Sequence, residues 1–430
     1  MLKRFFKYEL QSVAGMVGIS IYILADTFFI ALYGGADGLA VLNLILPVYG
    51  VIYAIGAMIG IGSATRYGLS RAKGEQSDHY FLQSIFWCLL FSVPFIIAGI
   101  MKPDMVLKLL GADTGLTELG RNYLRIVLIA TPCFMCNYTF TGFARNDEAP
   151  MIAMIASITG SLCNIVLDYI FMFPLKMGLA GAALATGMSP VITMSVCCIH
   201  YISKSNHIGF KWKKTSIKKM VSCCKLGVSA FVGEISSAVI TIIFNMLLLD
   251  IAGNTGVAAY GVVANTSIVG MSIFNGLAQG VQPLMSESYG KRNREQVKKL
   301  LQWGICTCLA AEIIIVAFIW AKTDLVIDIF NSEQNMQLLN YAHTGLRLYF
   351  LGFLVAGINI LLVAYFAATD YVRPAIVGSI LRGAVAIVIC AVVFAKLFSI
   401  NGVWMSFLGS ETITLLVLLL MSGKKRGSDA

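Results

Sequence analysis

The sequence predicts an all-α polytopic membrane protein, with twelve transmembrane helices in two six-helix lobes related by a pseudo-two-fold axis near the membrane normal. Three observations predict this fold: the apolar composition, the length of the apolar runs and an internal repeat. Of the 430 residues, 58% are apolar and 13% are charged, whereas soluble domains carry about 25% charged residues. Apolar runs of about 20 residues, the length that a bilayer requires, recur along the whole chain.

The apolar runs place twelve helices in chain order, and turn-forming residues separate most of them. The first run ends at YGGADG, the long Gly-rich second at SRAKGEQ, the third at MKPD and the fourth at ARNDEAP. The seventh ends at AGNTG, and the Gly-rich eighth at SYGKRNR. The predicted helices cover residues 10–33, 40–66, 81–101, 121–143, 150–174, 178–200, 220–249, 256–285, 299–320, 340–367, 374–398 and 401–421.

The longest polar segment, YISKSNHIGFKWKKTSIKK, separates the sixth predicted helix from the seventh. It predicts a division of the chain between two lobes. We expect an N-terminal lobe over 1–203, a basic cytoplasmic linker over 204–219, a C-terminal lobe over 220–422 and a cytoplasmic tail over 423–430.

The two halves resemble each other in the order of their features. A shift of 218 residues places GLAVLNLILP on GVAAYGVVAN and SRAKGEQ on SYGKRNR without a gap. Further along, LLGAD parallels IFNSE, Pro150 parallels Pro374, and LAGAA parallels INGVW. Because each half has an even number of helices, both insert in the same orientation, as in transporters built from parallel repeats.

The positive charges follow a topological pattern. The net charge is +10, and 24 of the 32 Lys and Arg residues fall on one set of alternate connecting segments, among which we count Arg145 and Arg382. This asymmetry follows the positive-inside rule, so we expect a multi-pass protein of the cell membrane with both termini in the cytoplasm. The basic segments would contact anionic lipid headgroups rather than nucleic acid.

Other functional classes lack their sequence signatures. The eleven cysteines are scattered through apolar runs, which indicates small packing residues. No phosphate-binding G-x-x-x-x-G-K-[ST] loop is present, and the four histidines form no ligand cluster. We therefore predict a monomer that is not an enzyme and needs no cofactor beyond a coupling ion.

Two carboxylates within apolar runs of the first half are the strongest candidates for function, because an ionised carboxylate in hydrocarbon costs at least roughly 2.5–3.5 kcal/mol. Asp26 stands in IYILADTFFIAL and Asp168 in SLCNIVLDYIFMF. Asn164 precedes Asp168 by four residues and so shares its helix face. Together these oxygens could bind a proton or a hard cation.

Further polar residues lie within predicted helices. Asn137 and Thr186 add oxygen donors to the first half. In the second half, Glu234 is the clearest mid-span carboxylate, and Asn245 and Gln282 are polar donors in the seventh and eighth helices. Nothing in the sequence pairs with Glu312. At the predicted loop edges, Asp147, Glu148 and Asp370 are interpreted as solvated helix ends.

Four segments resemble those of the multidrug and toxic compound extrusion (MATE) family. ADTFFIALYGGADGLAVLNLILP is similar to the family's first-helix motif, and NIVLDYIFMFPLKMGLAGAALAT closely resembles its fifth-to-sixth helix signature. GLAQGVQPLMSESYGKRN resembles the eighth-helix motif, and LGVSAFVGE the seventh-helix entry. Where the family usually shows an Arg followed by a Gly turn, this chain reads ARNDEAP. In the tenth helix, AGINILLVAYFAA offers only Asn359 where some members carry an acid.

The resemblance implies antiport of cationic or amphipathic small molecules against protons or sodium ions, with a cavity alternately open to each side. It also implies a set of functional residues. The family's coupling cluster maps onto Asp26, Asn137, Asn164, Asp168 and Thr186, of which Asp26, Asn164 and Asp168 would bind Na⁺ if sodium is the coupling ion. We assign substrate binding to Glu234, Gln282 and Asn245.

Several alternatives remain open at this stage. The chain could instead be a flippase for lipid-linked saccharide precursors, although such proteins need basic residues in the cavity. It could also export one specific metabolite. Proton and sodium coupling use the same oxygen ligands, and the transport cycle could either bend N-lobe helices near Pro47 and Pro174 or rock the lobes as rigid bodies.

Overall fold

The computed structural model describes residues 1–210, 216–330 and 336–428, and nearly all of these residues are helical. Eight helices in this part of the chain are long and apolar enough to cross a membrane, and two further spans are helix pairs with a bend. Left-handed residues break two of the eight long helices, at Gly253 and at Ser399. Dividing the helices there gives twelve spans, so the predicted all-helical fold is confirmed.

The spans are named α1 to α12 in chain order. Gly35 has a non-helical backbone conformation and marks the boundary between α1 and α2. Their bounds are α1 Leu2–Gly35, α2 Asp37–Ala72, α3 Tyr80–Met101, α4 Thr114–Ile129 with Thr131–Asn146, α5 Pro150–Met172, α6 Gly178–Ile202, α7 217–252, α8 254–290, α9 Arg294–Ala321, α10 Met336–Leu351 with Phe353–Ala368, α11 372–398 and α12 400–428.

The left-handed backbone positions show the repeat directly. Four of them in the N-terminal half have a counterpart 218 to 222 residues later in the chain. A positive φ places the backbone in a conformation that ends helices and favours glycine. The corresponding pairs are Gly35 with Gly253, Gly74 with Arg292, Glu148 with Asp370, and Gly178 with Ser399. The two halves therefore turn their chains at equivalent places, whichever residue occupies them.

The bends and short helices repeat in the same way. α4 bends by 43° between its two segments, at Ala130, and α10 bends by 42° at Gly352. A short helix precedes each of these bent spans, Pro103–Leu109 before α4 and Thr323–Phe330 before α10.

Spans α1–α6 are called the N-lobe and α7–α12 the C-lobe. The end of the molecule where α1 begins and α12 ends is called the basic end.

The predicted linker is partly described. Its first residues lie against the N-lobe, because the His207 backbone N–H donates to Asp147 and Asn206 donates to the Tyr201 carbonyl. α7 begins at Ile217, and residues 211–215 lie outside the described residues. α12 continues to Ser428, well into the segment predicted as a tail, and residues 429–430 again lie outside. The exact lobe boundaries stay a prediction.

The lobes pack closely along α2, α7 and α8 near the basic end. A Cβ at Gly62 would overlap the Cys223 carbonyl, and one at Gly227 would overlap the Met58 carbonyl. Across the same interface, Gly280 lies against the backbone of Glu9 on α1. Small residues at these positions let helix backbones approach each other closely, which favours van der Waals packing between helices in a membrane.

Candidate cation and substrate site

Four of the predicted coupling residues form one buried group in the N-lobe, which we call the N-lobe site. The Asp26 side chain on α1 is in hydrogen-bonding contact with that of Asp168 on α5. With its amide oriented to satisfy both neighbours, Asn164 donates to Asp168 Oδ2 at 3.1 Å and accepts from the Thr186 N–H at 3.2 Å. At most 8% of each of the four side chains is exposed. The fold thus brings α1, α5 and α6 together at these residues.

The N-lobe site has oxygen atoms with no partner in the protein. Asp26 Oδ1, Asp168 Oδ1 and Thr186 Oγ1 are buried and accept no hydrogen bond. Buried polar atoms are nearly always paired with protein, ordered water or an ion, so these unpaired oxygens mark a place where water, a proton or a cation would bind. Two carboxylates in contact also repel each other unless a proton or a cation lies between them. The donor set therefore fits either coupling ion.

Asn137 is separate from this group. It lies on the second segment of α4, and its own Oδ1 is likewise buried without a partner. Among the described residues, no hydrogen bond joins its side chain to Asp26 or Asp168. Its position has an exact analogue in the other lobe, since Asn137 and Asn359 each follow the bend of their span by seven residues.

A cluster of tyrosines lies between the N-lobe site and the C-lobe. Tyr22, one turn before Asp26 on α1, makes a side-chain hydrogen bond with Tyr53 on α2 and interacts electrostatically with Asp26. The Tyr53 ring lies 6.3 Å from that of Tyr138 on α4. The Tyr138 hydroxyl in turn donates to Glu234 Oε1 at 2.9 Å. This tyrosine cluster was not anticipated from the sequence.

Glu234 therefore lies at the junction of the lobes rather than within the C-lobe alone. It is on α7, whereas its hydrogen-bond donor, Tyr138, belongs to the N-lobe. The hydrogen bond also lies deeper than the ion pairs between the lobes, because Glu234 follows the start of α7 by 17 residues, or about 25 Å of helix. Its half-buried carboxylate faces aromatic rings, which suits a lipophilic cation.

The other two predicted substrate residues lie elsewhere. Gln282 on α8 donates to Thr65 Oγ1 on α2 at 3.0 Å, in the closed part of the lobe interface. Asn245 is half-buried on α7, about three turns beyond Glu234. The structure therefore does not bring these three residues together, and their assignment to substrate stays a prediction.

Polar contacts close the interface at the basic end. Arg66 on α2 pairs with Asp370, which follows α10, at 3.2 Å. Arg4 on α1 pairs with Glu287 on α8 at 2.9 Å. Because each contact joins residues of different lobes, they hold the lobes together on this side. Asp370, predicted as a solvated helix end, thus takes part in an inter-lobe ion pair.

Asp147 is a correction to the sequence analysis, which assigned it to a solvated helix end. Its side chain is fully buried between α4 and α5. It accepts hydrogen bonds from Tyr67 at 2.9 Å, from Arg71 at 2.8 Å and from the His207 N–H at 2.9 Å, and it contacts His200 at 2.9 Å. Burial raises the pKa of Asp147, but these partners outweigh it and hold the pKa below the usual value.

A second correction concerns the C-lobe. Arg382 was counted among the basic connecting segments, but it lies within α11 and pairs with Glu411 on α12 at 2.9 Å. Asn359 on α10 donates to Glu411 Oε2 at 2.7 Å. The sequence analysis did not single out Glu411, although an acid within the apolar run GSETITLLVL was a signal that could have identified it.

A protein-family model matches the chain in two segments, one in each lobe. The MatE family model matches residues 12–170 and 230–415. The multidrug export protein MepA of Staphylococcus saprophyticus is 26% identical over 420 residues, which are 96% of this chain and 92% of that protein. MepA of Staphylococcus aureus strain NCTC 8325 is 24% identical over 423 residues, with 97% and 93% coverage.

Solved structures show the same fold. An outward-facing multidrug resistance MATE family transporter of the MOP superfamily superposes with a TM-score of 0.92 at 22% identity, covering 99% of this chain and 96% of that one. A MATE structure in complex with MaL6 gives a TM-score of 0.93 at the same identity and coverage. These neighbours confirm the predicted arrangement of twelve helices in two lobes.

Proposed function

The chain belongs to the MatE family, and from this premise we propose that it is a secondary active antiporter. It exports cationic or amphipathic drugs and toxic compounds in exchange for protons or sodium ions. The observation that carries the proposal is the contact between Asp26 and Asp168, both buried within spans of one lobe. The naming of its relatives as multidrug export proteins supports the substrate class.

The N-lobe site supplies the coupling. Two adjacent carboxylates in the membrane interior are stable together only when a proton or cation neutralises part of their charge. Loading from the side of higher ion concentration therefore stabilises the contact between α1 and α5. Release to the other side leaves an unstable pair of charges, and the conformational change that relieves it drives the cycle.

Substrate binding uses the junction at Glu234. A cation that reaches this carboxylate replaces the Tyr138 hydroxyl as its partner and lies against the tyrosine rings, where cation–π attraction contributes about 0.5–2 kcal/mol. The same exchange removes an inter-lobe hydrogen bond. Substrate binding and the opening of the lobes are thereby linked through one side chain.

The contacts at the basic end support a state open at the opposite end. With both termini in the cytoplasm, as the distribution of Lys and Arg predicts, the ion pairs of Arg66 and Arg4 close the cytoplasmic side. Substrate then leaves toward the outside. The protein works as a monomer in the cell membrane, and its basic segments contact lipid headgroups.

Transport by the purified protein in liposomes tests the proposal. A pH gradient and a sodium gradient are imposed separately, and efflux of a cationic dye is followed by fluorescence. We expect one of the two gradients to drive uphill dye movement. Dye movement that depends on neither gradient would contradict antiport.

The flippase alternative receives no support from the side chains. Such a protein would hold pyrophosphate with basic residues that lack other partners. Arg382 within α11 pairs with Glu411, and Arg145 near the end of α4 donates to Gln279, so both of these basic side chains already have partners.

A further inference from the structure

A second polar group lies near the middle of the C-lobe spans, and we call it the C-lobe centre. It consists of one residue from each of four spans: Glu312 on α9, Asn359 on α10, Arg382 on α11 and Glu411 on α12. Glu312 and Asn359 have no exposed surface, and Glu411 is 1% exposed. Polar residues at this depth are costly, so the centre needs either complete internal pairing or a ligand.

Half of the C-lobe centre is internally paired. The Arg382 guanidinium donates to Glu411 Oε1 at 2.9 Å, and Asn359 donates to the other carboxylate oxygen of Glu411. Arg382 lies in a π-helical turn, Leu381–Val385, a geometry often found at functional sites. Because the arginine is always charged, it neutralises Glu411 in every state of the protein. Glu411 therefore has no need of an external cation.

The other half is not paired. Glu312 Oε1 accepts the Ile358 N–H at 3.0 Å, whereas Glu312 Oε2 and Asn359 Oδ1 are buried with no partner. Glu411 interacts electrostatically with Glu312. Cys308, on the same helix as Glu312, interacts with both Glu312 and Glu9 of α1. In the part of the chain that the structure describes, no Lys, Arg or His forms an ion pair with Glu312.

We propose that Glu312 is a second exchangeable proton site, located in the C-lobe. Hydronium gives a proton to Oε2 and leaves as water, and the reverse step returns the proton. A metal ion fits poorly, because hard cations require about six oxygen ligands, while only two unpaired oxygens are present. No three His, Cys, Asp or Glu side chains within the described ranges could hold a metal together.

Both protonation states of Glu312 are accommodated. The ionised form is stabilised by the hydrogen bond that the Ile358 N–H donates to Oε1. The protonated form gains a hydroxyl that can donate a hydrogen bond. A group stable in both forms can exchange its proton instead of remaining permanently neutral.

The site is mechanically connected to the lobe interface. Thr307, five residues before Glu312 on α9, donates to Glu9 of the N-lobe at 2.9 Å. A change in the lobe contact therefore acts directly on α9 and on the water access of Glu312. This role in the cycle rests on the proposed antiport, whereas proton exchange itself does not.

Infrared difference spectroscopy on the full-length protein in lipid tests the exchange. Spectra in acidic and alkaline buffer are subtracted, and the carbonyl band of protonated carboxylic acids is followed. We expect Glu312→Gln to lose one pH-dependent band that Asp168→Asn retains. A Glu312→Gln spectrum identical to that of the wild type would overturn the proposal, and so would a Glu312 band that never responds to pH.

A second variant keeps the ionisable group in place. A Cβ at Gly357 would lie 2.8 Å from Glu312 Oε1, so Gly357→Ala should shift the pH midpoint of the Glu312 band without removing it. An unshifted midpoint would contradict the assignment of the band.

In liposomes, Glu312→Gln should lower the number of protons exchanged per substrate. A titrating band with unchanged stoichiometry would refute a role in the cycle, while absence of gradient-driven transport in the wild type would instead refute antiport.

Discussion

Asp168 makes both of the side-chain contacts that connect the N-lobe site, one to Asp26 on another span and one to Asn164 on its own. An asparagine in its place has nearly the same shape but cannot take up and release a proton. We expect Asp168→Asn to keep the fold and to lose gradient-driven export of dyes from liposomes. The exposed Asp250 on α7 provides the control, and Asp250→Asn should transport normally. Wild-type export by Asp168→Asn would remove this residue from the coupling mechanism.

Glu234 should affect substrate choice more than coupling, because its only hydrogen-bond donor among the described residues is the neutral hydroxyl of Tyr138. Glu234→Gln removes the charge that attracts a cation while keeping a hydrogen-bond acceptor. We expect efflux of cationic dyes to weaken and efflux of neutral amphipathic compounds to persist, measured side by side in liposomes. If both classes weakened equally, Glu234 would be a structural or coupling residue.

The residues that sequence could identify are those that are unusual by themselves. Asp26 and Asp168 interrupt apolar runs, and their depth alone predicts a function. The partnership of Arg382 with Glu411 could not be predicted, because no spacing rule connects residues on α11 and α12. Asp147 was misinterpreted for a related reason, since four partners from other segments bury a residue that the chain places in a loop.

At the scale of helices, the ARNDEAP segment has a left-handed turn without the glycine expected there. Glu148 occupies the left-handed position instead. Its φ is 65°, where a residue with a Cβ is strained by roughly 1–2 kcal/mol and glycine is not. We expect Glu148→Gly to be tolerated and to raise the thermal unfolding temperature in detergent. Gly178→Ala, the opposite change at a φ of 57°, should lower it, because the added Cβ would also lie 2.8 Å from Tyr33. Glu148 lies 3.8 Å from Arg4 and 4.0 Å from Arg71, and a lower unfolding temperature for Glu148→Gly would show that these ion pairs outweigh the strain.

The connection between α4 and α5 should respond to acid through Asp147. Its pKa in the folded protein lies below the value in the unfolded chain. The stabilisation is therefore complete above the ordinary carboxyl range, near pH 4, and is lost as the pH falls through the lower folded value. We expect thermal stability of the wild type to decrease on acidification, and Asp147→Asn to be less stable at neutral pH with a smaller decrease. Parallel pH profiles for the two proteins would exclude Asp147 as the cause.

The length of the apolar runs predicted the helices well, whereas the positions of the bends within helices were not predicted from the sequence. The sequence predicted α4 and α10 as the single helices 121–143 and 340–367, yet both bend by more than 40°. The bend of α10 falls at Gly352, which no proline or polar cluster marks. Proline and glycine commonly permit such bends, and Pro132 does follow the bend of α4 by two residues.

For the whole molecule, the ion pair between Arg66 and Asp370 should bias the lobes toward closure at the basic end. Asp370→Asn removes the charge that holds Arg66 across the interface, an effect of about 1 kcal/mol for a partly exposed pair. We expect faster labelling of Cys223, which is 5% exposed and lies against Gly62 in the interface. Mass spectrometry after reaction with a water-soluble thiol reagent identifies the modified residue. Cys88, which is buried within the N-lobe, should stay unmodified, and its equal labelling would indicate unfolding instead of opening.

The pairing of Arg382 with Glu411 has an electrical consequence. Each unbalanced elementary charge that moves through the full membrane potential changes the energy by about 2.3 kcal/mol per 100 mV. These two side chains carry opposite charges 2.9 Å apart, so a motion of α11 and α12 as a unit moves almost no net charge on account of this pair. The membrane voltage therefore acts on the substrate, on the exchanged ion and on charged groups without such a partner, and hardly on this pair. Transport currents should keep their voltage dependence when both members of the pair are replaced by apolar residues of similar size.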